Sequence, residues 1–418
     1  MCGFAAQSAM TTNPFNQQRN TRPSIVVIGG GYAGMISALR LARGTHGHAD
    51  VHLVNPQTRF VERIRLHEIA SGRNLRTIEI PALLRGRDVS FHQARATQID
   101  WRNRQVTLSN GSVLDYDRLV YALGSQIDRT TPGVREHALA LEDIQASAQI
   151  SHRLNQLAAG SEVVVVGGGL TGTELIFELA ERYPQLRWTM VTREAYEQGY
   201  APAAREYFLS QLAHRGITLR TGIHVQAVEA DHLVTNEGGL PFALCLWAGS
   251  FRGLSLGRES GLAVNERDQV LVDETLRSLT APEIYVVGDS AALPASYRPY
   301  LVMGCKTAML LGVHAAENLL GELRGEAPQP MRYNYTVTCV SLGRRDGLIQ
   351  FLTPEGEAVP RFVSGRLGAW VKELICRSTV ISLQAERHFN FYDWFMPARQ
   401  QAESVPIHEP SPAQGQSI

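Results

Sequence analysis

Four consecutive branched apolar residues, Ile25-Val26-Val27-Ile28, mark a strand buried on both faces, the habit of parallel sheets. A glycine-rich turn follows, and apolar residues then recur at helical period as far as Ala42. The succession repeats: Val163 to Val166 form a second buried run, a second glycine-rich turn follows, and a second helical stripe ends near Ala180. Further strand-like runs stand at 51–54, 188–191 and 284–287. The pattern predicts an α/β fold with two strand–glycine–helix units. Helical spacing predicts another helix over about 303–321, and alternation predicts β segments over 333–352. An amphipathic helix is predicted over 362–382, its apolar run interrupted by Lys372, Glu373 and Arg377, ahead of an aromatic cluster at 391–397.

The two turns carry candidate chemistry. Gly29, Gly31 and Gly34 hold GxGxxG spacing, and so do Gly167, Gly169 and Gly172. Such glycines permit a tight turn, a close backbone approach to pyrophosphate and close helix–strand packing. The helix amino terminus then meets the phosphate charge. Two units of this kind predict two dinucleotide sites. The first departs from the usual pattern, because Asn55 stands where an acid would grip the adenosine ribose. In the second, Thr192 takes the acid's place and Arg193 follows, which favours the 2′-phosphate of NADPH over NADH; Glu194, one step later, points to the other side if the strand persists.

Composition narrows the picture. The 418 residues suffice for two or three domains, and 44% apolar with 19% charged residues is ordinary for a soluble protein. Forty basic residues balance forty acidic ones, which argues against a nucleic-acid partner. No apolar run approaches the ~20 residues of a membrane span. Residues 1–21 read as a polar leader without a signal peptide's apolar core, and no metal site is expected. Five cysteines without a CxxC pair fit reduced thiols in a cytoplasmic protein.

Three further segments match in order: Tyr116 to Ser125, Leu246-Trp247-Ala248-Gly249, and Ile284 to Asp289. With the two turns, they make the chain resemble the FAD/NAD(P)H oxidoreductases with two dinucleotide-binding domains, over about residues 24–325. The resemblance is to type II NADH dehydrogenase-like flavoproteins lacking redox cysteines. It implies two Rossmann-like domains. A discontinuous FAD domain would span 22–148 and 258–325, an inserted NAD(P)H domain 149–257, and a smaller α+β cap or interface region 326–402. Residues 1–21 and 403–418 are expected to be disordered. FAD would lie in the first cradle with Gly124, and with Asp289 on the ribityl chain. NADPH or NADH would lie in the second with Glu174 and Gly249.

The acceptor side is less conventional. Relatives of the disulfide branch carry redox thiols on the stretch corresponding to 56–72, where this chain has none. A polar group of Arg63, Arg65 and His67 stands there instead. Arg65 and His67 are candidates to face the acceptor, and Lys306 to add positive charge beside the flavin. The plainer readings are an ion pair of Glu62 with Arg65 or Arg63, and a surface lysine. Cys305 reads as a packing residue. The implied function is hydride transfer from NAD(P)H through FAD to a quinone-like or other small organic acceptor. A pathway-specific tailoring flavoenzyme, reductive or oxygen-using, is one alternative. A redox-sensing interaction protein resembling apoptosis-inducing factor is another. The C-terminal aromatics are open to three uses: a cap over the flavin, a homodimer interface, or contact with a membrane surface.

Overall fold

The computed structural model describes residues 22–194, 199–297, 303–332, 336–353 and 356–394. The tails expected to be disordered, and Phe395 to Pro397 of the aromatic cluster, lie outside the described residues.

The first glycine unit builds the first sheet. Strand β1 (Ser24–Ile28) leads through the turn into helix α1 (Tyr32–Gly44), and β2 (Asp50–Val54) returns beside β1. Helix α2 (Leu66–Ala70) follows, then β3 (Ser90–His92) and β4 (Arg118–Tyr121). With the strand Ile284–Val286 they form a five-stranded parallel sheet in which β1 lies between β4 and β2. The apolar run is buried as its sequence requires: Ile25, Val26, Val27 and Ile28 have no exposed surface.

The second unit repeats the plan. Strands β5 (Ala138–Leu139) and β6 (Glu162–Val166) are followed by helix α3 (Leu170–Arg182). Strands β7 (Arg187–Val191), β8 (Ile217–Arg220) and β9 (Leu244–Trp247) complete a parallel sheet in the order β5-β9-β6-β7-β8. In each sheet the strand before the glycines has its neighbours on opposite sides, reached in opposite directions. That switch point opens a crevice at the carboxyl end of the strand, where α/β proteins bind ligands. The α/β class read from the sequence is the class observed.

Helix α4 (Cys305–Leu323) packs along α1, and Ser37 Oγ donates to the Gly312 carbonyl at 2.9 Å between them. The remaining chain forms an antiparallel sheet of β10 (Val337–Ser341), β11 (Gly347–Leu352) and β12 (Ala358–Val363). Helix α5 (Gly365–Glu386) crosses it, starting and ending later than the periodicity indicated. Among the described residues no helix is long and apolar enough to cross a membrane.

Candidate functional site

A single cavity of about 2270 Å³ is lined by both glycine turns. The fit of each turn to a dinucleotide can be tested glycine by glycine. Gly29 and Gly167 have φ of +104° and +122°, a region open to glycine. A Cβ at Gly29 would meet the Ala122 carbonyl oxygen, and one at Gly167 that of Ala248. A Cβ at Gly34 would strike the carbonyl oxygen of Gly29, and one at Gly172 that of Gly167, so these glycines let each helix lie close to its strand. Gly31 and Gly169 have nothing within 4 Å of the Cβ position. The same division of labour, with free space at the middle glycine, suits a pyrophosphate in both turns. The residues fit.

Around the first turn, Asn55 accepts from the Gly30 N–H at 2.8 Å and donates to the Gln57 carbonyl at 2.7 Å, so its amide shapes the loop. Gly124 donates to Ser290 Oγ at 2.7 Å, and Asp289 accepts from Ser125 Oγ at 2.8 Å and from the Gly304 N–H at 3.2 Å. Gly124 and Asp289 both line the cavity. Around the second, Gly249 and Arg193 line it too, with Arg193 exposed at the end of β7.

His67, Lys306 and Glu174 line the same cavity. Glu174 lies in the second turn of α3 but reaches the C-terminal region. Its Oε1 is 2.9 Å from Lys372 Nζ and 3.1 Å from the Ser341 N–H, and its Oε2 is 3.8 Å from His67 Nδ1. Burial pushes the Glu174 carboxyl up, but the Lys372 ammonium and then His67 outweigh it and hold it below the usual range. Burial likewise works against Lys372, yet Glu174 first and Cys339 next hold it well above the ordinary lysine value. The pair is therefore ionised.

Arg65 departs from expectation. It does not line the cavity but sits in a cage of carboxylates: Glu68 at 2.7 Å, Glu373 at 3.0 Å and Glu62 at 3.3 Å. The reason is local. Arg63 and His67 are four residues apart and share a face, whereas Arg65, two residues from each, turns the other way. Arg63 and His67 thus line the cavity while Arg65 lies between α2 and α5, where its carboxylate partners tie the two helices together.

In the sequence Lys372 stands out only as an interruption of an apolar run, Cys339 and Cys376 do not read as site residues, and all three line the cavity. A usable signal was present: of forty basic residues only two, Lys306 and Lys372, are lysines. Lys372 also does not interrupt the apolar side of the helix as expected. It turns inward with Glu373, leaving Leu367, Trp370, Leu374 and Ile381 exposed along the outside of α5.

Two dinucleotide turns opening on one cavity, with a buried acid–amine pair on its wall, define an oxidoreductase of the two-cradle class. Comparison gives the family. Residues 23–312 match the pyridine nucleotide-disulphide oxidoreductases, and the chain belongs to that family. It is 28% identical over 397 residues to a type II NADH:quinone oxidoreductase of Staphylococcus haemolyticus, covering 87% of this chain and 96% of the relative. An NADH dehydrogenase-like protein of Mycobacterium tuberculosis is 30% identical over 345 residues, 76% of this chain and 85% of the relative. The fold is that of the sulfide:quinone oxidoreductase from Aquifex aeolicus (TM-score 0.75, 19% identity, 87% and 92% covered). It is also that of NDH2 from Plasmodium falciparum in complex with NADH (TM-score 0.73, 15% identity, 90% and 98% covered). The chain is accordingly a pyridine-nucleotide oxidoreductase of flavoprotein type, as its resemblance implied.

Proposed function

We propose that the protein passes a hydride from NAD(P)H through FAD to a quinone-class acceptor, with no redox dithiol in the path. The observation that carries this reading is the shared cavity: both cradles open on it, and its wall holds the Glu174–Lys372 pair with His67 beside it. The similarity to proteins named NADH:quinone oxidoreductases supports the acceptor class.

FAD would be held by the turn Gly29–Gly31, shaped by Asn55, with Gly124 and Asp289 further along, in a domain of residues 22–148 and 258–325. NAD(P)H would be held at Gly167–Gly169 with Gly249, in a domain of residues 149–257. Bound FAD would supply the two-electron chemistry that no side chain has. The residues supply the rest. Lys372 holds a proton beside the acceptor, Glu174 keeps that ammonium charged, and His67 can take or give a proton at Nδ1. Lys306 at the start of α4 adds a second amine, pulled below the usual lysine range by burial. Arg193, at the end of β7, is suited to a 2′-phosphate and makes NADPH a usable donor. The exposed apolar side of α5 suits contact with a membrane surface from the cytoplasmic side, which cosedimentation with phospholipid vesicles tests.

Stopped-flow mixing with NADH and NADPH, followed by a panel of quinones and oxygen, tests the whole reading. Rapid bleaching by either coenzyme and rapid recovery with a quinone are expected. Recovery with oxygen alone overturns the acceptor class.

A further inference from the structure

Both of the chain's lysines line the cavity, and one of them holds a sulfur there. Lys372 Nζ donates to Cys339 Sγ at 3.7 Å. In a chain whose other basic side chains are all arginine, this placement matters, because a lysine can surrender a proton and an arginine cannot. Cys339, the middle residue of β10, is partly exposed on the cavity wall. Among the other described cysteines, Cys245 and Cys376 are buried and Cys305 is partly exposed. Burial pushes Cys305 up to about 11, and Cys245 and Cys376 up to about 12. An ammonium has three donors. Glu174 takes one from Lys372 and Cys339 another, which leaves one for an oxygen in the cavity.

We propose that Cys339 is a covalent capture site for electrophilic quinones, its sulfur adding to the ring while Lys372 protonates the carbonyl oxygen. The inference rests on the quinone reading above. The sulfur lone pair forms the C–S bond at the carbon β to the carbonyl, the ring C=C pair shifts, and C=O becomes C–OH. The thiol proton replaces the one that Lys372 gave, and loss of the ring hydrogen to the second oxygen completes a hydroquinone thioether. Thiol plus quinone equals product, so no further oxidant or reductant is needed. The thiolate is the nucleophilic form, and the Lys372 ammonium lies 3.7 Å from the sulfur that attacks. Turnover converts quinone to hydroquinone, which is not electrophilic. Capture therefore competes with turnover when the coenzyme runs short, and the adduct fills the cavity. Cys339 becomes a brake set by the supply of reducing coenzyme.

The test uses the flavin-loaded full chain with Cys2→Ser and no coenzyme, treated with 1,4-benzoquinone. Expected are one adduct, mapped to Cys339 by peptide mass spectrometry, and a parallel loss of turnover with tetramethyl-1,4-benzoquinone, whose blocked ring cannot complete the addition. Cys339→Ser should lower the inactivation rate at least ~10-fold, while Cys305→Ser leaves it unchanged. NAD(P)H added beforehand should protect. Labelling that falls first on Cys305 or Cys376, or a Cys339→Ser variant inactivated at the parent rate, overturns the proposal. Failure of the quinone reading is distinguishable: untreated protein would then show no tetramethylbenzoquinone turnover, whatever the labelling.

Discussion

Lys372 Nζ lies 2.9 Å from Glu174 Oε1, so a buried ion pair pins α5 to the helix that starts at the second glycine turn. The two side chains are 14% and 8% exposed, which leaves water little part in solvating either charge. Removing one partner from a buried pair strands the other charge. Lys372→Met should therefore destabilise the protein by about 3–5 kcal/mol in urea unfolding. Adding Glu174→Gln should restore part of the loss. The pH dependence follows from the directions of the shifts. Glu174 is depressed, so its contribution is complete above the ordinary carboxylate value of 4.5 and fades as pH falls through its lower folded value. Lys372 is raised, so its contribution is complete below 10.5 and fades as pH rises through its higher folded value. The stability gap between parent and double variant should be flat between those limits and narrow outside them. A gap that changes across neutral pH, and still does so in a His67→Gln background, would mean that the pair is not ionised.

The glycine turns separate a folding role from a binding role. Gly31→Val points its side chain into space with nothing within 4 Å, so the fold should persist while the phosphate space is filled. Colourless protein with a parent-like circular dichroism spectrum is expected. Gly34→Val drives a side chain into the Gly29 carbonyl oxygen and should yield little folded protein. A yellow Gly31→Val variant would remove FAD from this turn.

Much of this was legible because it is local. A buried strand, its glycines and its helix are written within about twenty residues, and the register of β1 with β2 and β4 follows from the apolar run. Asp289 and Gly124 could be named because short motifs mark the ends of buried strands. The far wall of the cavity was not legible in the same way. Lys372 meets Glu174 and Cys339 only because β10 and α5 fold back toward α3, joining residues far apart in sequence. Arg65 was misplaced for a plain reason: only two residues from His67, it stands on the opposite side of a helical turn, and it is Arg63, four residues away, that shares the His67 face. The outward apolar side of α5 was obscured because charge along a helix does not tell which way each residue points.

Arg193 is exposed at the end of β7 and lines the cavity where the adenosine end of a coenzyme would lie. Thr192 beside it is spent on the Glu194 carbonyl, to which its hydroxyl donates at 2.9 Å. Arg193 is then the residue able to meet a 2′-phosphate with a charge-assisted bond. Arg193→Ala should weaken NADPH by roughly 1–3 kcal/mol and NADH by much less, read as Kd from coenzyme titrations. Equal losses for the two coenzymes would show that the guanidinium does not discriminate.

His67 offers the sharpest separation of the two halves of turnover. It is 8% exposed, lines the cavity, and holds Nδ1 at 3.8 Å from Glu174 Oε2, so it can exchange a proton with the cavity and remain oriented by the carboxylate. It lies on α2, which follows the first cradle in the chain but packs against α3, so His67 stands between the two cradles and not on the second glycine turn that would carry the coenzyme. His67→Ala should therefore leave the half-reaction with NAD(P)H near the parent rate. The half-reaction with the quinone should slow on the order of 100-fold if the imidazole supplies the proton. His67→Gln keeps a polar side chain beside Glu174 but cannot deliver that proton, so it should be nearly as slow. Added imidazole should restore part of the rate to the alanine variant, because the cavity has room for it, and should do nothing for the glutamine variant, where the space stays filled. A purely structural His67 would give the opposite pattern: glutamine active, alanine impaired in both halves, and no response to imidazole.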